Sequence, residues 1–413
     1  HGPTRHPLPG DDGRLPLSGG AANDRLALYV LAWMTMSMLV VCYALARFGA
    51  HGLEVRRRAL PDRMVAGQPL TLGFDVRNLG SLPKSGLLLH DRLANEVQHQ
   101  RAERSVFVPS LSGESEAAVD AEAAPAARGR TSLGPVRVTV GDPLGLFEVT
   151  RELAGTRHEV IVHPRVESLQ AQLNVGRLGL DDGRRGTAPS GLVLHSLREY
   201  QPGDDLRHVH WLASARSGRL MTKEYERPSS AEGVVLLDLD ARQVFGAGNA
   251  SSLEAAIGAA ASLLAWLGEQ GRPARLVAHE GELLSHAVSS HGLSRDLLDA
   301  LALVGGHGEV SMPALLTQQA DQLGPGAALI VISAGASEAL LAELRRLSDA
   351  GRGVWLVLPD ARGFAATDAA PVPSSLLAPA DVRLRLAGGG VALSVLSPGV
   401  SLAAALNPRE VAA

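Results

Sequence analysis

The chain has 413 residues, is 46% hydrophobic and 20% charged, and carries a formal net charge of −4. Such a composition builds real cores and excludes wholesale disorder, while 39 basic against 43 acidic residues excludes the basic excess of a nucleic-acid binder. The single cysteine, Cys42, permits no intrachain disulfide, which fits a reducing compartment.

In chain order, residues 1–24 are rich in Gly, Pro and Asp without periodicity and are expected to be a polar loop or tail. Residues 26–46, LALYVLAWMTMSMLVVCYALA, contain no charge. A bilayer core of roughly 30 Å needs about 20 such residues, and lipid leaves helix as the only form that satisfies their backbone. A transmembrane helix over 26–48 is therefore expected, with Tyr29 and Tyr43 near its edges. A signal peptide fits less well, because its apolar region is shorter and no small-residue cleavage site precedes Arg47. Arg47, Arg56, Arg57, Arg58 and Arg63 follow the span, whereas Arg14 and Arg25 precede it. That bias places the soluble part on the cytoplasmic side of the cell membrane. The chain begins at His1 rather than Met, so an upstream segment able to carry another span is expected.

Residues 52–165 hold short, partly alternating runs (QPLTLGFDVRN, SGLLLHDRL, RSVFVPS, SLGPVRVTV, HEVIVHP) separated by Gly, Pro and Asn. They predict a β-sandwich, with 113–130 as strand plus loop. Residues 166–230 form a connecting segment. From 231 to 360, apolar strands (GVVLLDLD, ARLVAHE, AALIVISAG, GVWLVLPD) alternate with helices at 252–271, 294–306 and 337–351. Near-continuous apolar strands alternating with helices predict a doubly wound, Rossmann-like α/β domain around a parallel sheet. Residues 361–413 are expected to be an extension with two β-like runs, DVRLRLA and VALSVLS.

The most distinctive segment precedes the first α/β strand. Arg198-Glu199-Tyr200-x-Pro202-Gly203-Asp204-x-x-Arg207-x-x-His210-Trp211, followed by Arg216, gathers forked cations, carboxylates and aromatics that need partners when buried. It predicts either a clamp between the two domains or a docking surface. This pattern resembles the signature of the bacterial family known as domain of unknown function 58. Arg128-Gly129, Asp142-Pro143-Leu144-Gly145-Leu146-Phe147 and Val162-His163-Pro164-Arg165 are similar to that family's β-region, and the resemblance covers roughly 26–360. It implies membrane spans, usually two, a β-domain and a von Willebrand factor A-like α/β domain. It also implies association with MoxR-type AAA+ ATPases and sometimes with transglutaminase-like membrane proteins.

Von Willebrand A-like domains often hold a divalent cation on an Asp-x-Ser-x-Ser loop after the first strand. Here that stretch reads Asp238-Leu239-Asp240-Ala241-Arg242, and Ser333-Ala334-Gly335 stands where a later Asp would be expected. A permanent cation at a ligand position predicts a degenerate site in which Arg242 pairs with Asp238 or Asp240 in place of an ion, with Mg²⁺ as the alternative occupant. A zinc site from His195, His208, His210 and Asp204 is outweighed by a structural role for His210. No Gly-x-Ser-x-Gly elbow or phosphate-binding Gly-rich loop occurs, and Cys42 lies in the apolar segment. The expectation is a membrane-anchored, non-catalytic scaffold without cofactor, partnered by an AAA+ ATPase. A divalent-ion-dependent adhesion module and an envelope hydrolase are the alternatives.

Overall fold

A computed structural model describes residues 18–96, 101–125, 127–153, 155–169, 193–200, 209–226, 232–288, 292–324, 327–366 and 371–406. Helix α1 (Ser18–Gly49) contains the apolar stretch and includes a 25-residue segment, Arg25–Gly49, long and apolar enough to cross a bilayer. Most of its large apolar side chains are exposed, so the sandwich and the α/β unit do not bury this helix as a core.

The next ten strands are β1 (Leu53–Arg57), β2 (Arg63–Val65), β3 (Leu70–Asn78), β4 (Lys84–Asn95), β5 (Arg101–Leu111), β6 (Glu116–Ala123), β7 (Gly129–Leu133), β8 (Arg137–Gly141), β9 (Glu148–Glu152) and β10 (His158–His163). They form a β-sandwich of one sheet ordered β1-β3-β6 and a second ordered β2-β10-β7-β4-β8-β9, with β5 on the free side of β4. The period of two drives this: Leu72, Phe74 and Val76 on β3 face Leu87, Leu89, Val138, Val140, Val160 and Val162 across the core. Arg57 on β1 reaches Asp91 on β4 at 2.6 Å, a deeply buried pair that ties one sheet to the other. Arg56 pairs with Glu54, Arg58 with Asp75 and Asp120, and Arg63 with Asp299. Four of the cations counted for orientation are therefore engaged by carboxylates within the fold. The expected strand in 113–130 is β6.

Two strands, β11 (Val193–Glu199) and β12 (Met221–Glu226), pair antiparallel with each other around helix α2 (Trp211–Ser217). The second large unit contains β13 (Gly233–Leu237), α3 (Ser252–Glu269), β14 (Ala274–Glu280), β15 (Glu282–Val288), α4 (Arg295–Leu303), α5 (Met312–Gln319), β16 (Ala328–Ile332), α6 (Glu338–Asp349), β17 (Val354–Pro359), α7 (Ala361–Ala365), α8 (Pro379–Leu386), β18 (Val391–Leu396) and α9 (Leu402–Leu406). Its sheet runs β15-β14-β13-β16-β17-β18. Every pairing is parallel except β14–β15, so the sheet is mixed rather than purely parallel. Along β13, Val235 and Leu237 join the core under α3, α4 and α9, while Val234 and Leu236 join the core under α5, α6 and α8. Burial on both faces explains the uninterrupted apolar run.

Two sequence expectations are corrected here. The α/β unit does not end near 360, because β18 continues the sheet beside β17. DVRLRLA is not a strand: Pro379 sits in the first turn of α8, Val382 and Leu386 are buried one turn apart, and Leu384 between them is exposed. Its alternation of apolar and Arg residues mimics a period of two.

Candidate functional site

Three places concentrate unusual side chains. The first is the C-terminal end of the sheet between β13 and β16, where the chain leaves β13 for α3 on one side and returns to β16 on the other. Such a switch point leaves a crevice beyond the strand ends, the usual place for ligands in open α/β sheets. Asp238 follows β13 and Ser333 follows β16. The Ser333 hydroxyl donates to Asp238 Oδ2 at 2.5 Å, the Asp240 amide donates to Asp238 Oδ1 at 3.0 Å, and Ser333 Oγ accepts from the Gly335 amide. Burial pushes the Asp238 carboxyl up to about 6, against the Ser333 and Asp240 hydrogen bonds that favour its ionised form.

Arg242 lays its guanidinium fork on Asp240, with Nε to Oδ1 and Nη2 to Oδ2 both at 2.8 Å. Desolvation raises the Asp240 carboxyl, but the Arg242 hydrogen bonds outweigh it and hold that group below the usual range. The Asp240 side chain is almost fully buried whereas that of Arg242 is 68% exposed, so the carboxylate faces inward under a cationic cap. Gly308 is required beneath it: an added Cβ would stand 2.6 Å from the His279 carbonyl and 2.7 Å from that of Leu239. Among the described residues no group of three or more His, Cys, Asp or Glu is placed to hold a metal. Two carboxylates, one already bound by Arg242, leave few oxygens for an octahedral ion.

The second place is the 198–216 motif. Pro202, Gly203, Asp204, Arg207 and His208 lie outside the described residues, as do the side chains of His195 and Arg198. The described remainder forms a small unit held by local hydrogen bonds. His210 caps α2, its Nδ1 accepting from the Ala213 amide at 3.1 Å. Ser214 Oγ donates to the His210 carbonyl and accepts from the Met221 amide, stitching α2 to β12. Gly218 closes the helix in the left-handed region, and Arg219 reaches Glu199 at 3.3 Å. Tyr200 is half-buried, its amide bonded to the Leu220 carbonyl. Arg216 is exposed. Trp211 is 66% exposed, and Leu212 and Leu220 beside it are exposed as well. Trp211 is thus not packed into the described fold.

The third place is the joint between the sandwich and the α/β unit, which among the described residues is clamped by side chains outside that motif. Arg128 is 1% exposed; its Nη2 donates to the Val304 carbonyl at 2.7 Å and its Nη1 lies 3.0 Å from Glu254. Asp299 on α4 accepts from Arg63 on β2 and bonds His163 Nε2 on β10 at 2.6 Å. The Arg63 hydrogen bonds, helped by His163, hold the Asp299 carboxyl down at about 2. A cleft of about 430 Å³ opens beside this joint, but the buried charge in its wall, Arg128, is already matched by Glu254. Arg128 and His163 stood in the sequence pattern; their α/β partners Glu254, Asp299 and Val304 carry no local signal.

Comparison with known proteins adds the following. Residues 196–306 match the family described as "Protein of unknown function DUF58". The "Uncharacterized protein YeaD" of Bacillus subtilis is 31% identical over 210 residues, covering 48% of this chain and 50% of that protein, so the chain spans about half the length of this curated relative. Among solved structures, the CARDB domain of the PF1109 protein from Pyrococcus furiosus is 18% identical, covering 27% of this chain and 84% of that chain with a TM-score of 0.18. The C-terminal domain of wzt is 10% identical, covering 28% of this chain and 75% of that chain with a TM-score of 0.21. The resemblance read from the 198–216 pattern is thereby shown.

Proposed function

We propose that this chain, whose residues 196–306 match the family of unknown function 58, is a membrane-anchored, non-catalytic scaffold that docks a protein partner. The carrying observation is the small β11-α2-β12 unit. His210 and Ser214 bond the helix to its own cap and to β12, while Trp211, Leu212 and Leu220 are exposed. Exposed apolar clusters on a polar frame mark interaction sites, and Trp is enriched among residues that dominate binding energy. The partner's identity, a MoxR-type AAA+ ATPase, comes from the family resemblance, as does the setting of protein-complex assembly at the envelope. The soluble domains then face the cytoplasm, where ATP is available.

The von Willebrand A-like reading of the second unit is supported by the parallel core of its sheet and by Asp238 and Ser333 at the switch point. With Arg242 seated on Asp240, that end of the sheet offers a cation-capped surface that needs no metal to recognise a partner. The alternative, divalent-ion-dependent adhesion, has the two carboxylates in its favour, but Mg²⁺ would have to displace Arg242. Calorimetry separates the two: absence of Mg²⁺ binding at millimolar concentration supports the scaffold, and binding lost in Asp238→Ala favours adhesion. The scaffold itself is tested by affinity capture of the full-length protein from its native membrane with and without ATP and Mg²⁺. Recovery of an AAA+ ATPase in a nucleotide-dependent manner supports the proposal; recovery of envelope enzymes or outside-facing ligands alone overturns it.

A further inference from the structure

The sandwich meets α1 closely. Cys42 and Ala46 are buried on one stripe of the helix and Ala50 just after its end, while Tyr43, Leu45 and Phe48 beside them are exposed. Tyr43 stacks edge-on against Phe147 with ring centroids 5.7 Å apart. At the helix end, Lys84 Nζ donates to the carbonyls of Gly49 and His51. The turn between β8 and β9 therefore lies alongside the last turns of the apolar helix, at the level of Cys42 and Tyr43. At a rise of about 1.5 Å per residue, Cys42 sits about 7.5 Å deeper along the helix than Arg47.

The turn itself is built for such a place. Pro143, Leu144, Gly145 and Leu146 are all exposed and uncharged, with Leu144 at 58% and Leu146 at 49%. The Asp142 carboxylate beneath them is folded away, accepting from the Leu144 and Phe147 amides at 2.8 and 2.6 Å. A second turn reaches the helix exit, where the Leu79 amide bonds the Gly52 carbonyl, and it exposes Leu79 and Leu82. Among the described residues 53–165, these four leucines and Phe107 are the large apolar side chains left exposed. Four of the five thus stand at one end of the domain, against the helix. Arg47 and Arg151 add exposed cations near that end, the latter close enough to depress the Lys84 ammonium further than burial alone. Cations at headgroup level and leucines below them match the two layers of a bilayer surface.

We infer that the helix-proximal end of the sandwich is seated in the bilayer interface through its two apolar turns, 79–82 near headgroup level and 143–146 deeper, among the upper acyl chains. The occupant of these leucines is lipid, because they stand beside the exposed apolar surface of α1, which Tyr43 on Phe147 and Lys84 on the Gly49 carbonyl tie to this end of the domain. The seat fixes the sandwich against the membrane plane, so the α/β unit joined to it by Arg128 and Asp299 is held at a set height.

This inference rests on the anchor reading of α1, and the test separates the two. The full-length chain carrying Cys42→Ala is placed in nanodiscs of phosphatidylcholine and phosphatidylglycerol. A single cysteine at position 36, 82, 144 or 384 carries an environment-sensitive fluorophore. Nitroxides on shallow or deep acyl positions report lipid contact, and iodide reports water. The fluorophore at position 36 should be quenched by deep nitroxides and that at 384 by iodide alone. Shallow nitroxides should quench position 144 at least threefold more than iodide does, and position 82 less than 144. Loss of nitroxide quenching at 36 overturns the anchor and the seat together. Quenching at 36 with iodide access at 144 equal to that at 384 overturns the seat alone. Shielding of 144 from both quenchers also overturns it, since protein then covers the turn. Repeating position 144 with the buried Cys42 retained guards against damage from its replacement.

Discussion

Replacing Asp238 by Asn tests whether burial of the switch-point carboxyl disfavours its ionised form. The unfolded chain ionises this group near 3.8, whereas the folded chain ionises it at about 6. A raised carboxyl pKa favours folding only while the group is protonated. Stability from it is thus fully present below about pH 3.8, declines as pH rises through about 6, and stays lost above. Because a tenfold change in an ionisation equilibrium corresponds to about 1.36 kcal/mol, the ionised form costs at most about 3 kcal/mol at neutral pH. Asn keeps an acceptor for the Asp240 amide and offers a donor to Ser333 Oγ in place of the hydroxyl's own bond. Urea unfolding of the wild-type and Asp238→Asn chains in nanodiscs should be compared from pH 4 to 8. The two should be similar near pH 4, and the variant should gain about 2 kcal/mol or more by pH 7.5 after the hydroxyl's rearrangement is subtracted. A difference that does not change with pH, or a variant less stable at pH 7.5, refutes the account of this site.

Other consequences follow from the joint and the turn beneath Asp240. Arg128→Met should cost about 3 kcal/mol, since it removes a buried cation that faces Glu254 and leaves the buried Val304 carbonyl without the Arg128 donor, and hydrogen exchange around 304–308 should accelerate. Asp299 has the opposite sign to Asp238: its carboxyl is held down at about 2, so its stabilisation is present above about pH 3.8 and lost as pH falls through 2. Because Arg63 is 39% exposed, the effect is screened to about 1 kcal/mol or less, readable as a difference in acid unfolding between wild type and Asp299→Asn. Gly308→Ala should lower stability by about 1–3 kcal/mol in thermal unfolding, because the new methyl meets two backbone carbonyls that cannot step aside.

Legibility in the sequence tracked how local the cause was. The apolar helix, the period-two strands of the sandwich and the strand–helix alternation after 231 are each written in consecutive residues, and those elements are present. The edge strand β15 was not read, since ELLSHAV carries a weak alternation beside solvent. DVRLRLA (381–387) reads as a strand and folds as part of a helix because Val382 and Leu386 fit a helix face as well as a strand. Pairings across the chain were out of reach: nothing near Asp299 announces Arg63 and His163, which lie 236 and 136 residues away. The exposure of Trp211 was equally invisible, because aromatic identity says what a side chain can bury and not whether the fold gives it a place.

The scaffold account is tested most directly by measuring affinity of a purified MoxR-type AAA+ ATPase for the nanodisc-embedded chain, wild type against a Trp211→Ala, Leu212→Ala variant. Both side chains are exposed, so the variant should keep its melting temperature. Loss of an exposed Trp anchor and its neighbour should weaken binding at least 30-fold, or about 2 kcal/mol. Unchanged affinity in the variant, or no saturable binding by the wild type, contradicts the account.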